Sequence, residues 1–214
     1  YSWATGASAT GPSKYGMTTQ FDNLVKYTGK SGGFTYGATI GLGERSGSLA
    51  EGRKLAMGGS WFGEGGLGLM ASYERINGNA VAGVPARDET TAYHLAADYQ
   101  TGKWRYTAGM RGYKLDAARA SADLRADTYW GGISRTIDDV TLTGAIYHVN
   151  TKDVPSLEDA DPTMFVVRGM LALSKRTTLY LSAAHAKADH GQLVGLSRDD
   201  PGFGTTQTGI TAGM

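Results

Sequence analysis

Apolar and polar residues alternate over residues 34–44, which read FTYGATIGLGE. One set of alternate positions is apolar: Phe34, Tyr36, Ala38, Ile40 and Leu42. The other set is mainly threonine and glycine. Because side chains of a strand point alternately to its two faces, the pattern predicts a strand with one apolar face and one small, hydroxylated face. The segment also has about the length that a tilted strand needs to cross a bilayer.

The rest of the chain repeats this pattern, and eleven strands are predicted. They cover residues 22–28, 34–44, 54–61, 67–73, 91–99, 104–113, 129–135, 140–147, 165–173, 178–188 and 207–214. Short connections, such as 29–33, alternate with long polar ones, such as 114–126 and 148–162. Outer-membrane barrels have this alternation of short periplasmic turns and long external loops, with aromatic residues at the strand ends. The fold class predicted is therefore an all-β, antiparallel transmembrane β-barrel.

A sheet that spans a membrane must close, because hydrocarbon offers no partner to an open strand edge. An odd count of eleven strands is unusual for a bacterial barrel. We therefore expect part of the barrel to lie outside this sequence. The whole of 1–214 is predicted to be one incomplete barrel domain, in which residues 1–19 form a loop and 20–214 hold the strands and their connections.

Composition narrows the class further. Hydrophobic residues make up 41% of the 214 residues, and no apolar run is long enough for a helical membrane span. The absence of cysteine excludes disulfides and thiolate chemistry. A formal net charge of +1 argues against nucleic acid as a partner.

Three stretches resemble a known family. They are LALSKRTTLY at 171–180, TQTGITAGM at 206–214, and DNLVKY at 22–27 followed by GGF at 32–34. Residues 129–147, with their internal LTGA, fit as well. Together these stretches resemble Gram-negative trimeric porins of the betaproteobacterial type, and the resemblance covers nearly the whole chain.

The resemblance implies a sixteen-stranded barrel in the bacterial outer membrane, of which this chain supplies strands six to sixteen. Residues 1–19 would be the remainder of the constriction loop that narrows the pore. A homotrimer is implied, with much of its contact surface on the first five strands. The partners implied are outer-membrane lipid and lipopolysaccharide around the barrel and small ions and solutes within it, without a cofactor.

The candidates for catalysis or metal binding are weak. The chain has four histidines, His94, His148, His185 and His190, and the last two have no carboxylate or second histidine at helical metal-ligand spacing. Ser182 and His185 are three residues apart on a strand, so they face opposite ways and cannot form a catalytic pair. The acidic segment 158–161, with Asp153 nearby, could hold a divalent ion through oxygen ligands, but a solvated surface that faces lipopolysaccharide is favoured. The glycines of 63–66 are interpreted as a turn, since a phosphate cradle would need a following helix. We predict no catalytic residue and no metal site.

Charged residues in the water-facing phase of the strands are the remaining candidates. The basic ones are Lys26, Lys54, Arg105, Arg111 and Arg168, and the acidic ones are Glu74 and Asp98. One interpretation is that these charged residues lie on the water-facing side only because charges require water. The other is that they set the ion preference of a pore. Lys54 and Arg111 are expected toward the external half and Arg168 nearer the middle. Lys26, Arg105 and Asp98 are expected near the periplasmic end.

The function predicted is passive diffusion of ions and small hydrophilic solutes through an outer-membrane porin, with a preference for anions. The alternatives are a substrate-specific outer-membrane channel and, more distantly, a barrel enzyme or a soluble β adhesin.

Overall fold

The computed structural model describes residues 23–43, 48–78, 83–84, 86–119, 123–153, 159–196 and 204–214. Eleven strands lie in these residues: β1 Leu24–Ser31, β2 Phe34–Gly41, β3 Lys54–Phe62, β4 Leu67–Asn77, β5 Glu89–Thr101, β6 Trp104–Asp116, β7 Leu124–Ile137, β8 Val140–Asp153, β9 Thr163–Ser174, β10 Thr177–Lys187 and β11 Thr206–Gly213. They form one antiparallel sheet in which each strand pairs with its neighbours in sequence. Within the described residues there is no helix with the length and apolar character to cross a membrane.

The connections segregate by length, as the sequence predicts. The short turns are 32–33, 63–66, 102–103, 138–139 and 175–176, and the strand ends joined by the longer connections 42–53, 78–88, 117–123, 154–162 and 188–205 lie at the opposite end of the sheet. We refer to these as the short-turn end and the long-loop end. Gly32, Gly102 and Asp138 open two-residue turns with φ of 57°, 55° and 51°. Such left-handed residues match the twist of paired strands, and aspartate tolerates them better than most residues.

Several predicted boundaries are wrong, mostly because strands run further than the alternation of apolar residues. Residues 29–31 are not part of a turn but belong to β1. At the long-loop end β6 reaches Asp116, β7 begins at Leu124 and β8 reaches Asp153, within segments predicted as loops. In the ladder between β6 and β7, the backbone of Lys114 lies opposite that of Arg125. Backbone ladders need no apolar side chains, so pairing continues beyond the part of the strand that alternates.

The cross-strand register assigns each strand residue to one of two faces. Phe34 lies opposite Trp61, which lies opposite Leu69, whereas Lys26 lies opposite Thr39. We call these the apolar face and the polar face. The apolar face carries Ala38, Ile40, Leu69, Ala71, Leu95 and Met110, and the polar face carries Thr39, Gly41, Ser72 and Thr107. Leu69 and Leu95 are 47% and 50% exposed. The alternation between two faces that the sequence predicts is therefore present in these strands.

A small buried core covers the polar face at the long-loop end. It consists of Ala92, Tyr113, Leu124, Ala126, Val149, Met164, Ala186, Ala188 and Val194. Val194 belongs to the connection between β10 and β11 and donates a hydrogen bond from its N–H to the carbonyl of Gly204 at 3.0 Å. Residues 188–196 of this connection therefore pack onto the polar face at this end of the sheet.

Aromatic rings lie over glycines of neighbouring strands. Tyr93 is directly opposite Gly112, and a Cβ added to Gly112 would overlap the tyrosine ring. The ring of Trp130 covers Gly109 in the same way on the polar face. An aromatic side chain over a strand glycine fills the space that the missing side chain leaves and helps to fix the register.

Candidate functional site

All seven charged residues predicted to face water lie on the polar face. Lys26 lies opposite Thr39, Thr39 lies opposite Ala56, and Ala56 lies opposite Glu74. Glu74 is therefore on the same face of the sheet as Lys26. The others follow from the same register: Lys54 on β3, Asp98 on β5, Arg105 and Arg111 on β6, and Arg168 on β9. The period-two interpretation of these side chains is therefore correct.

Their positions along the strands agree with prediction except at Lys26. β1 begins at the long-loop end, and its short turn follows Ser31. Lys26 thus lies near the long-loop end of this short strand, not near the short-turn end. The prediction failed because it placed the turn too early in the chain.

The same correction adds a basic residue that sequence reasoning missed. The sequence predicts Lys30 within a turn, but this residue lies in β1 opposite Thr35, on the polar face. The sequence signal that could have found it is the even spacing between Lys26 and Lys30, because such residues point to the same face of a strand. Within the strands that the structure describes, the polar face carries Lys30 and the five predicted cations against Glu74 and Asp98.

Arg105 and Asp98 form an ion pair near the short-turn end. Arg105 Nε donates a hydrogen bond to Asp98 Oδ2 at 2.7 Å. Their side chains are 60% and 25% exposed, so solvent screens the pair and its contribution to stability is small. The pair does, however, cancel much of the field that Arg105 would otherwise extend over the polar face.

Arg111 lies in a polar cluster in the long-loop half. Its guanidinium carbon is 5.1 Å from the ring centroid of Tyr113, and its register neighbours are His94 and Thr128. His94 Nδ1 lies 3.2 Å from Ser72 Oγ, and Glu74, on the same face, acts electrostatically on Arg111. The cluster thus combines a fixed cation with hydroxyl, imidazole and carboxylate groups.

Arg168 rests on an aromatic support that the sequence did not reveal. Its guanidinium carbon lies 5.1 Å from the ring centroid of Tyr180, on the next strand. The Tyr180 ring in turn lies against Gly213, where an added Cβ would come within 2.6 Å of the phenol oxygen. No carboxylate in the described part of the chain forms an ion pair with Arg168. The sequence feature that could have indicated this support is Tyr180 itself, an aromatic residue among the otherwise small side chains on the polar face of β10.

Hydroxyl groups separate Arg105 from Arg168 across the sheet. Successive opposite pairs join Arg105 to Ser134, Ser134 to Thr143, and Thr143 to Arg168. Ser134 Oγ and Thr143 Oγ1 are 2.9 Å apart, so one of the two donates to the other. The remaining hydroxyl proton can be donated to a solute. Guanidinium and hydroxyl donors placed side by side can replace part of the hydration shell of an anion.

The acidic segment is partly exposed and partly buried, with Asp153 and Asp159 exposed, so the solvated surface favoured by the sequence stays a prediction. Glu158 lies outside the described residues, but Ala160 is fully buried. Asp161 Oδ1 accepts hydrogen bonds from the Thr151 N–H at 2.9 Å and from its hydroxyl at 3.2 Å. Thr151 itself is buried. The Asp161 carboxylate therefore fastens the connection between β8 and β9.

Ser182 and His185 lie on different faces of the sheet. Ser182 lies on the polar face and donates to the Val167 carbonyl at 3.4 Å, while His185 Nδ1 lies 2.8 Å from Thr208 Oγ1 on the apolar face. The two residues face opposite ways, as predicted. Among the residues with described positions, no group of three metal-ligating side chains is found.

Sequence comparison then identifies the family. The sequence profile of Gram-negative porins matches residues 1–191, which is most of the chain. The chain belongs to the Gram-negative porin family. This places the protein in the bacterial outer membrane. No curated protein matches the chain.

Solved structures of porins share the fold. The anion-selective porin from Comamonas acidovorans superposes with a TM-score of 0.75 at 21% identity, covering 99% of this chain and 62% of that one. OmpT of Vibrio cholerae in its trimer form gives 0.60 at 14% identity, covering 88% and 61%. A porin refined at 1.8 Å gives 0.58 at 16% identity, covering 87% and 60%. The chain thus spans about three fifths of the length of these porins.

The porin's apolar face carries ion pairs at the long-loop end, beyond its band of exposed hydrophobic residues. Arg75 pairs with Glu89, and Lys152 pairs with Asp127. Lys114 Nζ lies 2.7 Å from Asp116 Oδ1. The alternation pattern of the sequence predicts loops at some of these residues and makes no prediction for the others. They mark the level at which the outward surface changes from apolar to charged.

Proposed function

We propose that this protein forms an outer-membrane channel for passive diffusion of ions and small hydrophilic solutes, and that the channel prefers anions. The polar face then lines the pore. The observation that carries the proposal is the charge of that face, where six basic residues in the described strands oppose two carboxylates. Low-dielectric walls focus such a field along the channel.

Arg111 and Arg168 are the residues proposed to contribute most. Both guanidinium groups are held near aromatic rings, and arginine stays ionised at any working pH. Arg105 contributes less because Asp98 pairs with it. The Comamonas porin is named as anion-selective, which is consistent with this preference.

Reversal potentials in a salt gradient test the proposal on the full-length protein in planar bilayers. The wild type is expected to be anion-selective, and an Arg111→Glu/Arg168→Glu double variant should shift toward cations. Arg125→Glu/Arg135→Glu, a double charge reversal of equal size on the apolar face, serves as the matched control and should leave selectivity unchanged. A cation-selective wild type, or a double variant that behaves like the wild type, would refute the anion preference.

A substrate-specific channel is the second candidate, favoured by the row of hydroxyl groups between Arg105 and Arg168. Block of the conductance by one class of solute at low concentration would support it, whereas steady ohmic conductance would support the general porin. The family favours a channel over an enzyme. Lipid hydrolysis without conductance would reverse that choice.

The assembly proposed is a sixteen-stranded barrel in a homotrimer, with lipopolysaccharide against the ion pairs at the long-loop end. Residues 1–19, proposed as the remainder of the constriction loop, lie outside the described residues. An OmpT structure in trimer form supports the trimer by analogy. Cross-linking of the full-length protein in mild detergent should give a three-subunit band, and a monomer throughout would count against it.

A further inference from the structure

A groove of about 720 Å³ opens on the apolar face at the short-turn half of β6 to β10. Its walls include Ile133, Leu142, Val167 and Leu181. The last three are each more than half exposed. The volume lies within the range of roughly 300–1,000 Å³ that is typical of small-molecule sites. On a face that meets lipid, such a groove can take an acyl chain.

The floor of the groove is formed by Gly144 and Gly169. Gly144 is opposite Val167, and Gly169 is opposite Leu142. A Cβ added to Gly144 would meet nothing within 4 Å, and one added to Gly169 would meet only Leu142 Cδ2 at 3.7 Å. No side chain of the described residues fills the space above Gly144, in contrast to Gly112 under its tyrosine ring. The groove is therefore open to an occupant from outside.

One end of the groove carries a positive charge at the level of the short turns. Arg135 lies opposite both Leu142 and Trp104, and its guanidinium carbon is 4.9 Å from the Trp104 ring centroid. No carboxylate of the described residues forms an ion pair with Arg135, and Asp138 of the adjacent turn pairs instead with Lys103 at 4.0 Å. Tryptophan and arginine together are typical of the interface between hydrocarbon and head groups.

We propose that this groove binds an anionic glycerophospholipid, with one acyl chain over Gly144 and Gly169 and the phosphate on Arg135. Short turns of porins face the periplasm, and the periplasmic leaflet consists of glycerophospholipids. A guanidinium donates two parallel hydrogen bonds to a phosphate. The inference rests on the outer-membrane placement in the proposed function but not on the pore's selectivity.

Lipid binding to the full-length protein tests the proposal, with dioleoyl phosphatidylglycerol and dioleoyl phosphatidylcholine as probes. Native mass spectrometry in a neutral detergent gives the two affinities. We expect phosphatidylglycerol to bind about fivefold more tightly, the effect of one basic residue near the head groups. Arg135→Gln should abolish that preference, while Arg135→Lys should retain it.

A second variant tests the groove itself. Gly144→Val places its Cβ in open space above the floor and should weaken the binding of both lipids. Ala38→Val makes a similar change on the apolar face outside the groove and should leave both affinities unchanged.

Three results would overturn the proposal: equal lipid preference in the wild type and Arg135→Gln, unchanged binding in Gly144→Val, or tighter binding of purified lipopolysaccharide than of phosphatidylglycerol at this groove. A cross-link from Leu142→Cys to a second copy would overturn it as well, by showing that protein covers the groove. The groove lies outside the pore, so Gly144→Val should leave the reversal potential of the channel unchanged. Failure of the lipid-binding proposal can therefore be distinguished from failure of the proposed anion preference.

Discussion

Two consecutive positions on β6 offer a sharp test of the orientation of the sheet. Ala108 lies on the apolar face opposite Ala97 and Gly131, and Thr107 lies on the polar face opposite Asp98 and Gly132. Arginine at either position meets small neighbours on at least one side, so steric effects are similar. The substitutions Ala108→Arg and Thr107→Arg differ mainly in whether the new charge meets lipid or water.

The expected cost follows from the depth of Ala108. It lies four residues beyond Trp104, the first residue of β6 at the short-turn end. At about 3.4 Å per residue and a tilt of about 40°, this is a depth of about 10 Å, close to the middle of an apolar band about 25 Å tall. Arginine facing lipid there should cost about 2–3 kcal/mol. The ratio of folded to unfolded protein would fall roughly 30- to 150-fold.

Reversible urea unfolding of the full-length protein from phospholipid vesicles measures this cost. Thr107→Arg should lose less than about 1 kcal/mol, because its charge stays in water near Asp98. Ala108→Leu, which adds apolar volume without charge, should lose nothing. The denaturant slope should be the same in all variants, so that midpoints report stability. Equal losses for the two arginine variants would refute the assignment of the faces.

Two further predictions concern single carboxylates. Asp98→Asn should raise the anion preference, because Arg105 loses the partner that cancels its field; an unchanged reversal potential would show that Arg105 does not act on the permeating ions. Asp161→Ala should raise hydrogen exchange at Thr151 and destabilise its connection by about 1–3 kcal/mol, since a buried N–H and hydroxyl lose their acceptor. Asp161→Asn keeps an acceptor oxygen and should lose less, and equal exchange in all three proteins would contradict the role given to Asp161.

The two faces could be predicted because they depend on a local rule. Side chains alternate with period two, so Thr39 and Ile40 must face opposite ways wherever the strand lies. The charged residues of the polar face follow from the same rule. The alternation of short and long connections also needed no knowledge of which strands pair.

Features that depend on which strands pair could not be predicted from the sequence. The pairing of Lys114 with Arg125 extends two strands through segments that look like loops. The support of Arg168 by Tyr180 depends on a contact between neighbouring strands. The burial of Val194 depends on packing between a connection and several strands. None of these contacts leaves a periodic signal.

The aromatic rings over glycines bear on how sequence variants of this porin should be interpreted. At Tyr93 and Gly112 the ring occupies the volume that any side chain at position 112 would need, and the same holds for Tyr180 and Gly213. A change at the glycine is tolerable only when the opposite aromatic residue becomes smaller. Each pair is therefore expected to mutate together, so that a glycine lost on one strand signals a compensating substitution on the next.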